Sequence, residues 1–215
     1  MKHLMKKTTI FAIVIIIISF IIAIYFYPSF PDQVASHWNS QGEVDGYMGK
    51  FWGLFLMPII SLAILLLFLA IPKIDPLKNN IKKFEKYFDG FIVLILLFLF
   101  YIYVLTVLWN MNIVFNMTQM ILPALGILFF YCGILIENAK RNWFIGIRTP
   151  WTLSNEKVWN ATHKLGGKLF KIAGILAFIG LFFQKFALLL FIVPVLAFSL
   201  YLVVYSYLKY QKYKA

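Results

Sequence analysis

Arg141 and Arg148 bracket the run Arg141-Asn142-Trp143-Phe144-Ile145-Gly146-Ile147-Arg148-Thr149-Pro150-Trp151, and Glu156, Trp159 and His163 follow. A guanidinium can hold a carboxylate or phosphate through two parallel hydrogen bonds. Two of them around an aromatic-glycine core suit a grip on a lipid headgroup, a protein carboxylate or a helix end. The plainer expectation is an internal brace, with Arg148 paired to Glu137 or Glu156. Glu156 and His163 are also the acid–base candidates of this stretch.

A second polar constellation lies earlier, in Pro31 to Tyr47. His37, Asn39, Glu43 and Asp45 sit close together, and Gly42 and Gly46 supply turns. Converging imidazole and carboxylate donors would suit a small divalent-metal or ligand site. The spacing matches no pattern that identifies a metal. A turn-rich cap is the stronger expectation, with His37 and Asn39 bonded to backbone and Trp38 at headgroup level. No metal or other cofactor is expected.

Local signals say how the first constellation is held. Pro150 discourages helix at Thr149. Ser154 can cap a short helix beginning near Asn155, with Glu156 in its favourable first turn. That helix would turn Val158, Trp159, Thr162 and Leu165 to one side and Lys157 and Lys164 toward water, and Gly166-Gly167 would end it. With its Trp and Lys it could equally lie in the membrane interface as an anchor.

The rest of the chain reads as membrane. Of 215 residues 62% are apolar and 13% charged, more apolar side chains than an aqueous fold of this length can hide. Apolar runs lie at about 8–27, 51–71, 88–109, 119–137, 169–184 and 186–208, most reaching the ~20 residues that cross a bilayer. The first is longer than a signal peptide's apolar region and no small-x-small site follows, so it reads as an uncleaved span. The fold class is therefore an all-α integral membrane protein of six transmembrane helices, multi-pass in the cell membrane. Pro58, Pro123 and Pro194 fall within spans and should bend them, Pro123 least if it lies in a first turn.

The net charge of +12 follows the topology rather than a nucleic acid. With both termini cytoplasmic, all 20 basic residues except Lys50 and Lys185 fall inside, as the positive-inside rule requires. The excess implies contact with anionic lipid, and no direct nucleic-acid partner. The loop at 28–50 would then be external, 138–168 cytoplasmic, and Gln184-Lys185 a tight external turn. The chain can be split into a first helix pair, 1–71, and a four-helix region, 72–215, with no linker between them, so one folding unit is expected. Cys132, alone in the fourth run, is a packing residue.

The run Arg-Asn-Trp-x-x-Gly-x-Arg-Thr-Pro-Trp-Thr-Leu, with Glu156-x-x-Trp159 and Thr162-His163, resembles the signature of the SdpI family of immunity proteins. The Pro, His-x-Asn, Gly and Asp pattern through His37, Asn39, Gly42 and Asp45 resembles the short N-terminal domain, of unknown function, of many such proteins. The resemblance implies a membrane protein that gives resistance to a secreted peptide toxin. It also implies a receptor that draws a transcriptional repressor to the membrane. On this view Arg141, Asn142, Trp143, Gly146, Arg148, Thr149, Pro150, Glu156, Trp159 and His163 form the partner-binding motif.

Two other classes are weaker. A metal-dependent enzyme would need more donors on one side, and no HExxH, Gly-x-Ser-x-Gly or phosphate loop occurs. No catalytic residue is expected. A small-solute transporter would place ionisable groups inside spans, whereas Asp89 and Glu137 sit at span ends.

Overall fold

The computed structural model describes residues 2–183 and 186–214, with the side chains of residues 2–6 and 214 outside that description. The turn expected at Gln184-Lys185 lies outside the described residues. The chain is built almost wholly of helix: α1 (Lys2–Phe26), α2 (Lys50–Ile74), a short α3 (Lys78–Ile81), α4 (Glu85–Asn110), α5 (Met117–Asn138), a short α6 (Pro150–Ser154), α7 (Glu156–Gly180) and α8 (Ala187–Lys214). Among the described residues five stretches are long and apolar enough to cross a membrane: Lys7–Phe26, Lys50–Ile74, Lys78–Asn110, Met117–Asn138 and Ala187–Tyr213. Residues such as Ile21, Ile24, Leu196 and Leu200 leave most of their surface uncovered, as side chains facing lipid do. The protein is thus a multi-pass membrane protein.

α7 is not among the five. Lys157, Lys164, Lys168 and Lys171 occupy its first part, and Leu169 to Gly180 rise only about 18 Å. It also does not stop at Gly166-Gly167. Both glycines are buried in the middle of one continuous helix, and at Gly167 α7 meets the backbone of α5. A Cβ at Gly167 would stand 2.8 Å from the Gly133 carbonyl oxygen, and one at Gly133 would stand 2.6 Å from the Gly167 oxygen. Gly126 and Gly174 repeat the arrangement two turns along, each against the other's carbonyl. Small residues here let two backbones meet, the common device of membrane helix pairs. Phe129 fills the adjoining space, stacked on Phe170 and edge-on to Phe191.

The helices continue through the interior prolines, Pro123 of α5 and Pro194 of α8 among them. Pro123 falls beyond the first turn of α5, so its ring removes an intrahelical hydrogen bond rather than occupying an orphan position.

One departure from all-α is a small antiparallel hairpin in 28–50, β1 (Gln33–Trp38) and β2 (Val44–Gly49), where a turn-rich cap was expected. Its tip is an Asx turn: Asn39 Oδ1 accepts from the Gln41 and Glu43 amides, and Gly42 takes φ +82°. Strand pairing was masked in the sequence by irregular register between Ala35 and Trp38, which breaks the two-residue alternation.

The described chain divides into two compact units that interleave in sequence: residues 1–68 with 92–124, and 69–91 with 125–215. The first holds the hairpin. Its core joins Ala23, Phe30, Val34, Leu54, Tyr103 and Val107, all buried. The second holds the Arg-Trp motif.

Candidate functional site

The stretch from Ala139 to Thr149, without regular helix, is folded by its own side chains. Asn142 is fully buried and makes four hydrogen bonds. Its Oδ1 accepts from the Phe144 and Ile145 amides (2.9 and 2.6 Å), and its Nδ2 donates to the Lys140 and Ile145 carbonyls (2.8 Å each). One amide side chain thus supplies partners that the bent backbone cannot find in itself. Gly146, at φ +120°, makes the return, and a Cβ there would collide with the His163 ring. Arg148 closes the loop by donating from Nη1 to the Trp143 carbonyl at 2.7 Å.

The loop is then pinned from four directions within its unit. From the chain after α2, Asp75 accepts the Trp143 amide on Oδ2 (2.9 Å) and its own Leu77 amide on Oδ1 (2.5 Å). From α3, Asn80 donates to the Arg141 carbonyl at 2.8 Å. From α7, Trp159 is fully buried, donates its indole N–H to the Ala139 carbonyl (2.8 Å) and stacks on His163, ring centroids 3.8 Å apart. From α8, the Ser206 hydroxyl lies 3.0 Å from Thr149 Oγ1.

Thr149 caps α6 in a reciprocal box with Thr152, and Pro150 takes the first helical position. Since residues 150–154 make a helical turn of their own, the cap of α7 passes to Asn155. Its Oδ1 accepts from the Lys157 and Val158 amides, the role expected of Ser154. The expected sidedness of α7 is present: Val158, Trp159 and Thr162 are buried, Leu165 half-buried, Lys157 and Lys164 exposed.

His163 is 1% exposed, and both ring nitrogens are engaged. Nε2 accepts from the Ile147 amide at 3.0 Å, so Nδ1 carries the proton and donates to the Trp159 carbonyl at 2.8 Å. Burial lowers its pKa from 6.5 to about 4, opposed by the Trp159 hydrogen bond. A protonated ring would lose the Ile147 bond and sit charged in an apolar packing. The unfolded chain takes up a proton below about 6.5 and the folded chain only near 4. Stability from this group is therefore full above 6.5 and lost as pH falls toward 4. An acid titration of unfolding in detergent should show this loss, and His163→Gln, which cannot titrate, should flatten it across that window.

The ten motif residues divide into two sets. Asn142, Thr149, Trp159 and His163 are buried, and Arg141 and Gly146 half-buried. Trp143, Arg148, Pro150 and Glu156 are exposed, Trp143 by 51%. The expected brace from Arg148 to Glu137 or Glu156 is not formed: Glu137 pairs with Lys171, and Arg148 with the Trp143 carbonyl. Arg141 reaches the Leu153 carbonyl at 3.3 Å. What faces outward is an indole beside a guanidinium with donors to spare for a carboxylate or phosphate.

Asp75, Asn80 and Ser206 hold the loop from positions outside the motif. Asp75 alone carried a usable signal, since Asp-Pro after an apolar run marks an Asx-type turn.

In the hairpin unit, His37 Nδ1 lies 2.5 Å from Asp45 Oδ1, and Asn39 donates to Glu43 at 3.2 Å. The imidazole and carboxylate donors of this loop are thus engaged in pairs across the hairpin. Gly42 gives room to Asn116, which donates to the Gln41 carbonyl, and Asn110 holds both the amide and the carbonyl of Ala35.

A chain of lipid-facing helices carrying a hairpin and a buried, self-braced Arg-Trp motif is a multi-pass membrane protein with two polar centres. Two family models fall on those centres. One, a domain of unknown function (DUF1648), matches residues 14–62, and the other, the SdpI/YfhL protein family, matches 138–206. Over the second of these segments the chain is similar to the SdpI/YfhL protein family. It is 28% identical to the Immunity protein SdpI of Bacillus subtilis (strain 168) over 209 residues, 97% of each chain. No solved structure matches it.

Proposed function

We propose that this chain is a membrane immunity protein that gives its host resistance to a secreted antimicrobial peptide toxin. The observation that carries the reading is similarity over 97% of both chains to a protein named for immunity, with the SdpI/YfhL match lying on the braced motif. In this reading the membrane is crossed six times, the second half of α7 with the residues after it supplying the fifth crossing. Both termini are cytoplasmic in it, a placement that the lysine distribution supports. The hairpin then faces the toxin and the Arg-Trp motif faces the cytoplasm.

The buried residues of the motif are its scaffold, and Trp143 with Arg148 is its contact surface. A planar guanidinium beside an exposed indole is a usual hot-spot pair in protein interfaces. Its partner is a cytoplasmic protein, of which a transcriptional repressor is the kind the family resemblance implies. The reading assigns no catalytic residue and no cofactor; a histidine with both nitrogens bonded and an exposed Glu156 do not form an acid–base pair.

The test is survival of a toxin-sensitive bacterium expressing the chain, challenged with an SdpC-type peptide toxin. Expression should raise the lethal concentration about tenfold or more over empty vector, a modest differential affinity being enough. Equal killing at confirmed membrane expression would reject immunity to that toxin.

A further inference from the structure

We infer that the outer edge of β2 is a strand-addition site for an extended, cationic segment of a peptide, held by the main chain of Tyr47 and Gly49. The inference rests on the immunity reading and gives its peptide partner a mode of docking.

The register decides which backbone groups point outward. Lys50 donates its amide to the Asp32 carbonyl at 3.0 Å, so 32 and 50 are a hydrogen-bonded pair. Gln33 faces Gly49, Val34 faces Met48 and Ala35 faces Tyr47. Bonded and non-bonded pairs alternate in an antiparallel ladder, so Gly49 and Tyr47 turn their amides away from β1. Ala35 confirms the phase independently, since its N–H and C=O go outward to the Asn110 side chain at 2.8 and 3.0 Å.

The two edges are treated differently. On β1, Asn110 donates and accepts as a neighbouring strand residue would, and Ala35 is 1% exposed. On β2, Tyr47 is 63% exposed, and among the described residues no side chain or loop group bonds its N–H or C=O. Nothing lies within 4 Å of where a Gly49 Cβ would stand, so an incoming backbone can approach. An open edge of this kind is a template for an extended chain.

Charge selects the occupant. Residues 28–50 hold Asp32, Glu43 and Asp45 against Lys50, and the Asp32 side chain is 93% exposed even while paired to Lys50. A cationic segment complements this. Tyr47, Phe51 and Trp52, each about half exposed or more, offer aromatic surface to its apolar side chains.

The experiment is residue-resolved hydrogen exchange on the full chain in lipid nanodiscs, with an SdpC-type peptide toxin as probe. Saturating peptide should slow exchange of the Tyr47 and Gly49 amides about tenfold and leave Met48, already in the ladder, unchanged. Tyr47→Pro, which removes the phenol ring and the outward N–H but no donor of the ladder, should weaken binding about tenfold. Tyr47→Ala, which keeps that N–H, should weaken it about threefold. Peptide that binds without slowing those two amides overturns strand addition and leaves immunity standing. Slow exchange before peptide is added means that a second copy covers the edge, which also overturns it. Absence of binding removes the immunity reading for this toxin and the inference with it.

Discussion

Asn142→Ala should be among the most damaging substitutions in this protein, costing about 4 kcal/mol and lowering the unfolding midpoint in detergent by roughly 10 °C. The reason is arithmetic of partners. The side chain is fully buried and serves two amides and two carbonyls of the same loop. Alanine leaves the Phe144 and Ile145 amides without acceptors in a place closed to water, and each orphaned group costs about 1–3 kcal/mol. The loop has no ladder to fall back on, since residues 139–149 have neither helix nor strand. Tryptophan fluorescence during thermal unfolding is the measurement, with Trp159 beside the loop as reporter. A midpoint within a degree or two of wild type would mean that the loop is held by its external pins alone.

Gly167→Val should be comparably destructive, by about 4 kcal/mol, through α5 rather than the loop. A Cβ at 167 meets the Glu137 Cβ at 2.6 Å and the Gly133 oxygen at 2.8 Å, both on a helix that cannot give way locally. The helices must separate, and the Phe129 packing beside them loosens. The change also displaces α7, which carries Trp159 and His163, so the buried side of the motif should open. Detergent-resistant folding can be followed by limited proteolysis, with cleavage expected at 139–149 in the variant and not in wild type. Gly49→Val, at an open position, is the control that adds the same side chain without collision.

These two positions also show what the sequence could and could not tell. The apolar runs at 51–71, 88–109 and 119–137 anticipated α2, α4 and α5 to within a few residues, because twenty apolar residues have few other fates. Glu156 in a first turn and the buried face of Val158, Trp159 and Thr162 were legible from local signals, whereas the short α6 beginning at Pro150 was not anticipated. Gly166-Gly167 was misread as a stop because glycine ends helices when alone. Its role here depends on Gly133, a residue of a different helix. The hairpin was hidden by a bulge between Ala35 and Trp38, and the Asx turn at Asn39 was visible only as turn propensity. Arg148 looked like half of an ion pair, yet its acceptor is a carbonyl five residues back, which no charge pattern announces. Asp75 lies far from the motif in sequence, and only folding brings it to the Trp143 amide.

On the proposed function the motif separates into a buried scaffold and one exposed contact pair, Trp143 and Arg148. The most direct measurement compares toxin survival of wild type, Trp143→Ala and Arg148→Ala at equal membrane expression, with thermal unfolding recorded for each. Both side chains are exposed, and the one hydrogen bond that Arg148→Ala removes leaves the Trp143 carbonyl at the surface, so both variants should unfold within a few degrees of wild type. Both should nonetheless lose about tenfold or more in protection, as removal of a hot-spot residue does. Full protection by both well-folded variants would contradict the claim and return the whole motif to scaffold.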